Sequence, residues 1–367
     1  MKVLYVSSMR DFFSGAKKQL KWEIESSQDL KIDWNIVVIH DGKIEDSMHE
    51  VNPPKIFRNL LFRNLYTWIY IIKNQKNYDI VINRHITFDI FVILFGWFVK
   101  NRFSVHHGKE VEGLRVVRKN WKGKVASLVE KITGFISLKQ VRGAICVTND
   151  IAEYQNKRAG VKTFLYPNGI NTEIVSLLND CRIDSEVNIA FVCSIFSEWH
   201  GLDLLLDNIK QNEDFIKNNN IKFHLIGNIL KKDLISIANI NNINNIVTYG
   251  HLTEDDYNKV LEKCDIGLDS LALFREGLKE GSALKVREYL AYGLPVYSGF
   301  QDSAIPPKFE YYKVGEVDVK EMYTFAVNLK KISREKIRIS SIDFISKTGL
   351  LNKLYTDINN YKQLIKR

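Results

Sequence analysis

Residues Glu276 to Val296 read EGLKEGSALKVREYLAYGLPV, and the spacing within them carries more information than any other segment of the chain. Ser282 is placed to cap a helix beginning at Ala283, Gly293 to end it and Pro295 to block its resumption. At about 100° per residue from Leu284, Glu288 falls at roughly 40° and Lys285 at roughly 100°, so a carboxylate and an ammonium share one face. Ala283, Val286 and Leu290 form the other, apolar face. Glu280 precedes the cap, beside helix N-terminal N–H groups that favour an anion such as phosphate. Two acids and a base thus converge on one anion position; the competing reading is an ordinary amphipathic helix with a solvated charged face.

The run EGSALKVREYLAYGLPV from Glu280 resembles the E-x7-E signature of the family 4 retaining glycosyltransferases, which use nucleotide sugars. The match includes Lys285, three residues before Glu288, and the closing Gly293-Leu294-Pro295-Val296. The resemblance implies an α/β chain of GT-B fold, two Rossmann-like parallel-sheet domains with a cleft between them. It also implies that Glu280 touches the donor sugar, that Glu288 accepts hydrogen bonds from the ribose hydroxyls, and that Lys285 supplies charge to the phosphate. Ser282, Ala283 and Leu284 bring the helix N-terminal amides to the same donor.

With 367 residues, of which 45% are hydrophobic and 11% aromatic, the chain can bury two ordinary cores. A net charge of +9 implies an anionic partner: nucleotide phosphates, a phospholipid surface or nucleic acid. Cys146, Cys181, Cys193 and Cys264 are widely spread with no C-x-x-C, which argues against a zinc site or a disulfide framework and for reduced thiols in the cytoplasm. The N-terminal MKVLYVSSMRDFF reads as a first strand rather than a signal peptide, and the longest apolar run, Ile90 to Val99, is too short to span a bilayer. The expected location is cytoplasmic, soluble or peripheral on the inner membrane.

Taken in order, Lys2–Ser7 reads as a strand, Ser14-Gly15 as a turn, a helix follows from Ala16, and Ile32–His40 is a second strand. Neither a dinucleotide nor a P-loop fingerprint occurs. By resemblance, Gly15 takes the place of the glycine loop that approaches the donor phosphates, with one glycine where two are common. Ile56–Lys76 has helical periodicity with Arg58, Arg63, Lys73 and Lys76 around apolar residues, which suits a membrane surface or a core-facing helix. Tyr78–Asn83 reads as a strand, Phe88–Val99 as a helix and Arg102–His106 as a strand, an alternation that argues a parallel sheet.

His106-His107-Gly108 sits where that strand ends, and ligands gather at the carboxyl ends of strands in open α/β sheets. The family has a functional His-Gly there; His107 is the matching residue, and His106 points to the other side of the strand. Gly113–Lys124 clusters Arg115, Arg118, Lys119, Lys122 and Lys124 about Trp121, as in a basic loop over an acceptor site on the lipid side or a solvated loop. Ala144–Val147 and Thr163–Tyr166 are strands flanking a helix at Asp150–Lys157. Pro167-Asn168-Gly169-Ile170-Asn171 is a turn that resembles the family's signature at the end of the N-terminal domain.

The first domain is placed at 1–170, a linker at about Asn171–Glu186, and the second domain at 187–345, with a C-terminal helix at about 350–367 packing back onto the first. In the second, Val187–Ser194 is a buried strand, and Trp199-His200-Gly201 leads into a helix at Leu202–Lys210. The family has an arginine and a Lys-Gly in this region; here Ser194 and Trp199-His200-Gly201 stand instead, a form that resembles a bacterial surface-polysaccharide subgroup. Diphosphate charge then falls on Lys285, Arg287 and the helix amides. Phe223–Gly227, Ile246–Gly250, Ile266–Leu271 and Val296–Ser298 are further strands, with a helix at Thr253–Glu262. His251 and Leu252 lie where the family binds the nucleotide base through backbone groups.

No D-x-D occurs, so the expectation is diphosphate stabilisation by cations and helix dipoles with no metal and no cofactor. The expected partners are a nucleotide sugar, UDP- or GDP-linked, a glycan or lipid-linked acceptor and an anionic membrane surface, but not nucleic acid. Within this reading His107 and Glu280 are the catalytic residues; Gly15, Ser194, Trp199, His251, Leu252, Ser282, Ala283, Leu284, Lys285, Arg287 and Glu288 hold the donor. Two alternatives remain: a nucleotide-sugar epimerase on the same frame, and a non-catalytic binding subunit of a polysaccharide assembly complex.

Overall fold

The structure, a computed structural model, describes residues 1–10, 14–44, 48–117, 120–240 and 243–364. The chain forms two compact units, Met1–Asn171 with Lys347–Arg367, and Thr172–Ser346. Among the described residues the first unit holds strands β1 (Val3–Ser8), β2 (Trp34–Ile39), β3 (Glu50–Val51), β4 (Ile80–Arg84), β5 (Arg102–His106), β6 (Gly143–Cys146) and β7 (Thr163–Leu165). They form one parallel sheet of order β3-β2-β1-β4-β5-β6-β7. Its helices are α1 (Ser14–Asp29), α2 (Leu60–Asn74), α3 (Val92–Phe95), α4 (Glu110–Val117), α5 (Trp121–Lys139) and α6 (Asn149–Ala159).

Strand periodicity divides this core in two. Val3 and Tyr5 pack with Leu20 of α1, whereas Leu4 and Val6 pack with Trp68 and Ile71 of α2. Both faces are covered, which is why the strands read as near-continuous apolar runs.

Two helical expectations and one loop expectation need correction. The Ile56–Lys76 helix is a 3-10 turn at Lys55–Phe57 and then α2, which Asn59 caps by accepting from Phe62 N. Its Arg63 is buried on Asp41 at 2.6 Å, so α2 uses that basic residue internally and faces the core. The Phe88–Val99 helix shrinks to α3 and a 3-10 turn at Gly96–Phe98. Phe88 adopts φ +62° and its N–H donates to Glu130 Oε2 at 2.9 Å, which holds the backbone out of a helix. The basic loop at Gly113–Lys124 is largely helical, because α4 runs to Val117 and Asn120 caps α5 by accepting from Gly123 N at 3.1 Å. Arg118 and Lys119 lie outside the described residues.

In the second unit, again among the described residues, the strands are β8 (Val187–Ile195), β9 (Ile221–Asn228), β10 (Ile246–Gly250), β11 (Ile266–Leu268), β12 (Glu280–Gly281), β13 (Val296–Ser298), β14 (Gln301–Asp302) and β15 (Tyr312–Val314). A parallel sheet has the order β10-β9-β8-β11-β13-β15, and β12 pairs with β14 in a separate ribbon. The helices are α7 (Leu202–Gln211), α8 (Glu213–Asn218), α9 (Lys231–Ala238), α10 (Glu254–Leu261), α11 (Leu284–Ala291), α12 (Val319–Leu329) and α13 (Arg334–Ile345). Phe191, Leu205, Phe223, Leu268 and Met322 are among the residues of its core.

The last helix, α14 (Lys347–Leu364), belongs to the first unit. Leu351, Leu354 and Ile358 enter the core beside Val3 and Tyr5. At its start, buried Lys347 lies 3.2 Å from Glu23 Oε2 and over the Tyr166 ring, while its N–H donates to Ile170 O at 2.8 Å. Gln19 Nε2 donates to Gly169 O at 2.6 Å, so α1 and α14 both hold the Pro-Asn-Gly turn.

Candidate active site

Strand order in the second unit reverses between β8 and β11, and the crevice at the carboxyl ends of such strands is where open α/β sheets bind ligands. Lys285 reaches into this region from the first turn of α11. Its Nζ lies 3.6 Å from Asp269 Oδ1, 3.6 Å from Cys193 Sγ and 5.0 Å from the centre of the Phe191 ring. The distance to the carboxylate exceeds an ordinary N–H···O bond, so the ammonium is held in place without being saturated. Asp269 is fully buried; burial pushes its carboxyl up, against the pull of Lys285.

The Trp199-His200-Gly201 turn is fastened to the segment after β11. Leu271 N donates to His200 O at 2.9 Å and Ala272 N to Trp199 O at 3.2 Å. Gly201 adopts φ +74°, and a Cβ there would sit 3.0 Å from Ala272 Cβ, so the turn needs glycine. His200 Nδ1 accepts from Ser197 N at 2.8 Å. Burial first, and Lys285 second, push the His200 pKa down to about 3, which leaves a neutral imidazole beside the ammonium. The Trp199 ring packs against it with centroids 4.5 Å apart, and Ser194 is exposed.

Helix α11 begins one residue later than its sequence suggests. Ala283 stands at the cap, and its methyl side chain offers the first-turn amides no acceptor. Ser282, read as the cap, instead accepts from Arg287 Nη2 at 3.2 Å. Arg287, expected on the diphosphate, has an internal partner. It is fully buried, with Nη2 2.8 Å from Asp302 Oδ1 and Nη1 on Asp302 Oδ2. Asp302 lies in β14, where Gln301 pairs with Glu280 of β12, and Ser303 Oγ donates to Glu280 Oε2. Arg287 thereby braces the ribbon that carries Glu280.

Glu288, one turn after Lys285, is half-buried. Its charge adds to burial in pushing the Tyr257 and Tyr292 phenols upward. Gly293 closes the helix at φ +75°, where a Cβ would meet Arg334 O at 2.4 Å. Beyond β10, His251 is exposed and Leu252 half-buried. Ser282, Ala283, Leu284, Lys285 and Glu288 therefore sit on one helix start, with Glu280 on the ribbon beside it. Sequence reasoning missed His200, Asp269 and Cys193 as partners of Lys285; the carboxyl ends of their strands were the only signal.

In the first unit, His107 follows β5 and is exposed, while His106 is fully buried, as alternation requires. His106 Nδ1 lies 2.6 Å from Glu110 Oε1 and 3.1 Å from Gln155 Nε2, and Nε2 lies 2.8 Å from Ser104 Oγ. The His85 ring stacks on it at 4.7 Å and is bonded to Glu130 at 3.0 Å. Burial lowers the His106 pKa; at His85 burial works the same way, but Glu130 and Glu110 outweigh it and raise the pKa. His85, His106 and Glu110 bring ligand-type atoms within 4.8 Å of one another. Those atoms are engaged by Glu130, Ser104 and Gln155, with Arg158 3.8 Å from Glu110, an arrangement suited to a hydrogen-bonded support. Gly15, expected in a turn, lies in the first turn of α1.

Residues 186–302 match the family model described as Glycosyl transferases group 1. No curated protein sequence matches the chain. Among solved structures, the chain is similar to the lipopolysaccharide outer core galactosyltransferase WaaB, with a TM-score of 0.65 and 12% identity over 99% of this chain and 100% of that one. It is similar to Anabaena Alr3699/HepE in complex with UDP-glucose, with a TM-score of 0.60 and 12% identity over 98% of this chain and 100% of that one. TarM of S. aureus gives a TM-score of 0.64 and 12% identity over 98% of this chain and 99% of that one. The chain thus has the GT-B fold, two parallel-sheet α/β units, and its second unit carries the match to glycosyl transferases group 1.

Proposed function

We propose that the protein is a glycosyltransferase that moves a sugar from a nucleotide diphosphosugar to a glycan or lipid-linked acceptor in bacterial surface polysaccharide synthesis, with retention of configuration. The observation that carries this reading is Lys285 in the first turn of α11, whose cap position is an alanine, at the point where strand order reverses in the second unit. An ammonium and a row of helix amides are the groups that stabilise a departing diphosphate. Glu288 then binds the ribose hydroxyls as an ionised acceptor, and Glu280, held by Ser303, meets the donor sugar. His107 takes part in transfer as an exposed imidazole. No divalent ion is assigned to the diphosphate. HepE was solved with UDP-glucose, and a TarM variant with fondaparinux, alpha-GlcNAc-glycerol and UDP; both ligand classes suit the proposal.

Thermal-shift screening against UDP-, GDP-, CMP- and dTDP-sugars identifies the donor, and product analysis with and without acceptor then measures transfer. Glu280→Ala and His107→Ala are each expected to lower turnover at least tenfold, about 1.4 kcal/mol of transition-state stabilisation. Wild-type turnover by both variants refutes the assignment, and a product formed without acceptor favours an epimerase.

A further inference from the structure

Helix α5 is folded inside out. Its inward face carries Gly123, Ser127, Glu130, Thr133 and Ser137, all buried, with Glu130 bonded to His85. Its outward face carries Trp121, Val125, Leu128, Ile132 and Phe135, spaced as one helical stripe, with Trp121 69% and Leu128 59% exposed. Helix α3 packs beside α5. With the turn that follows it, α3 adds Ile93, Leu94, Trp97 and Phe98, the last two 67% and 66% exposed. An apolar surface this continuous is costly in water and marks a surface that something apolar covers.

The charges identify the cover. The exposed charged residues of α5 are Lys122, Lys124, Lys131 and Lys139, and Lys100 follows the α3 turn. Lys122 Nζ lies 5.9 Å from the centre of the Trp121 ring and Lys139 Nζ 5.6 Å from that of Phe135, so cations stand beside the aromatics. Beneath Trp121, a pocket of about 270 Å³ is lined by Thr87, Phe88, Leu114, Val125 and Ala126. Apolar side chains rimmed by lysines fit a bilayer with anionic headgroups. A second copy of the chain fits poorly, since its own lysine rim would be brought against this one. Among the described residues no helix is long and apolar enough to cross a membrane.

We infer that the α3–α5 face of the first unit docks on an anionic phospholipid bilayer, lying on it with Trp97, Phe98 and Trp121 in the headgroup–acyl boundary. The inference stands apart from the sugar chemistry, because none of these residues is assigned to donor or transfer.

Flotation of the whole chain with vesicles of phosphatidylcholine alone, or with a third phosphatidylglycerol, tests it. The wild type is expected to float with the mixed vesicles at least tenfold more than with the neutral ones, and to lose that preference at high salt. Leu128→Glu/Ile132→Glu is expected to abolish flotation, and Lys122→Glu/Lys131→Glu to remove the anionic preference; both replace exposed side chains, and unchanged melting confirms folding. Absence of wild-type flotation overturns the inference. So does flotation unaffected by either double variant, or a wild-type dimer that Leu128→Glu/Ile132→Glu dissociates without any vesicle binding.

Discussion

Arg287 carries a formal charge into a fully buried position, and its cost is offset by two hydrogen bonds to Asp302 and one to Ser282. Removing one partner of such a pair strands the other, at about 3–5 kcal/mol. Arg287→Met is therefore expected to lower unfolding stability by about 3 kcal/mol in chemical denaturation and to release the ribbon that holds Glu280. Unchanged stability with a selective loss of nucleotide affinity would return Arg287 to the diphosphate. Lys285 and Arg287 are two residues apart, and the sequence assigns both to the anion. What separates them is Asp302, fifteen residues further on, whose arrival beside Arg287 depends on the β12–β14 ribbon. His107 and His106 were separable without coordinates, because a strand turns adjacent side chains to opposite faces.

At the scale of elements, strands were legible wherever both faces of a sheet are covered, because burial writes an apolar run into the chain. Helices held by distant contacts were not. Phe88 leaves the helical path because Glu130, forty-two residues later, takes its N–H, and no local spacing encodes that. A helix such as α5, with Trp121, Leu128 and Ile132 on one side, resembles a core-facing helix until its buried Glu130 is seen. The Trp199-His200-Gly201 turn offers a test of its own. The His200 pKa is pushed down to about 3 in the folded chain, against an ordinary value near 6.5, so between these values the unfolded chain binds the extra proton. Stability from this group is complete above pH 6.5 and is lost as pH falls toward 3. Melting followed from pH 7 to pH 4 is expected to fall more steeply in wild type than in His200→Asn, whose amide oxygen can accept from Ser197 N. Equal slopes would mean that the imidazole is not held neutral.

Across the whole molecule, a net charge of +9 divides among tasks that composition alone could not separate. Lys347 and Arg287 neutralise buried acids, the lysines of α5 rim an apolar face, and Lys285 waits beside Asp269 at the strand reversal of the second unit. Parallel α/β sheets were readable from the strand–helix alternation, and the GT-B architecture from the family resemblance of the Glu280–Val296 run, since both are local patterns. The contacts around Lys285 were not, because Cys193 and His200 reach it from the end of β8 and Asp269 from the end of β11, two strands far apart in the chain. Calorimetric titration of Lys285→Ala and wild type, with the nucleoside diphosphate of the identified donor and with its phosphate-free nucleoside, tests that position directly. The expected result is at least a tenfold loss of diphosphate affinity in the variant with nucleoside binding unchanged; equal losses for both ligands, or none for either, would contradict a diphosphate site at Lys285.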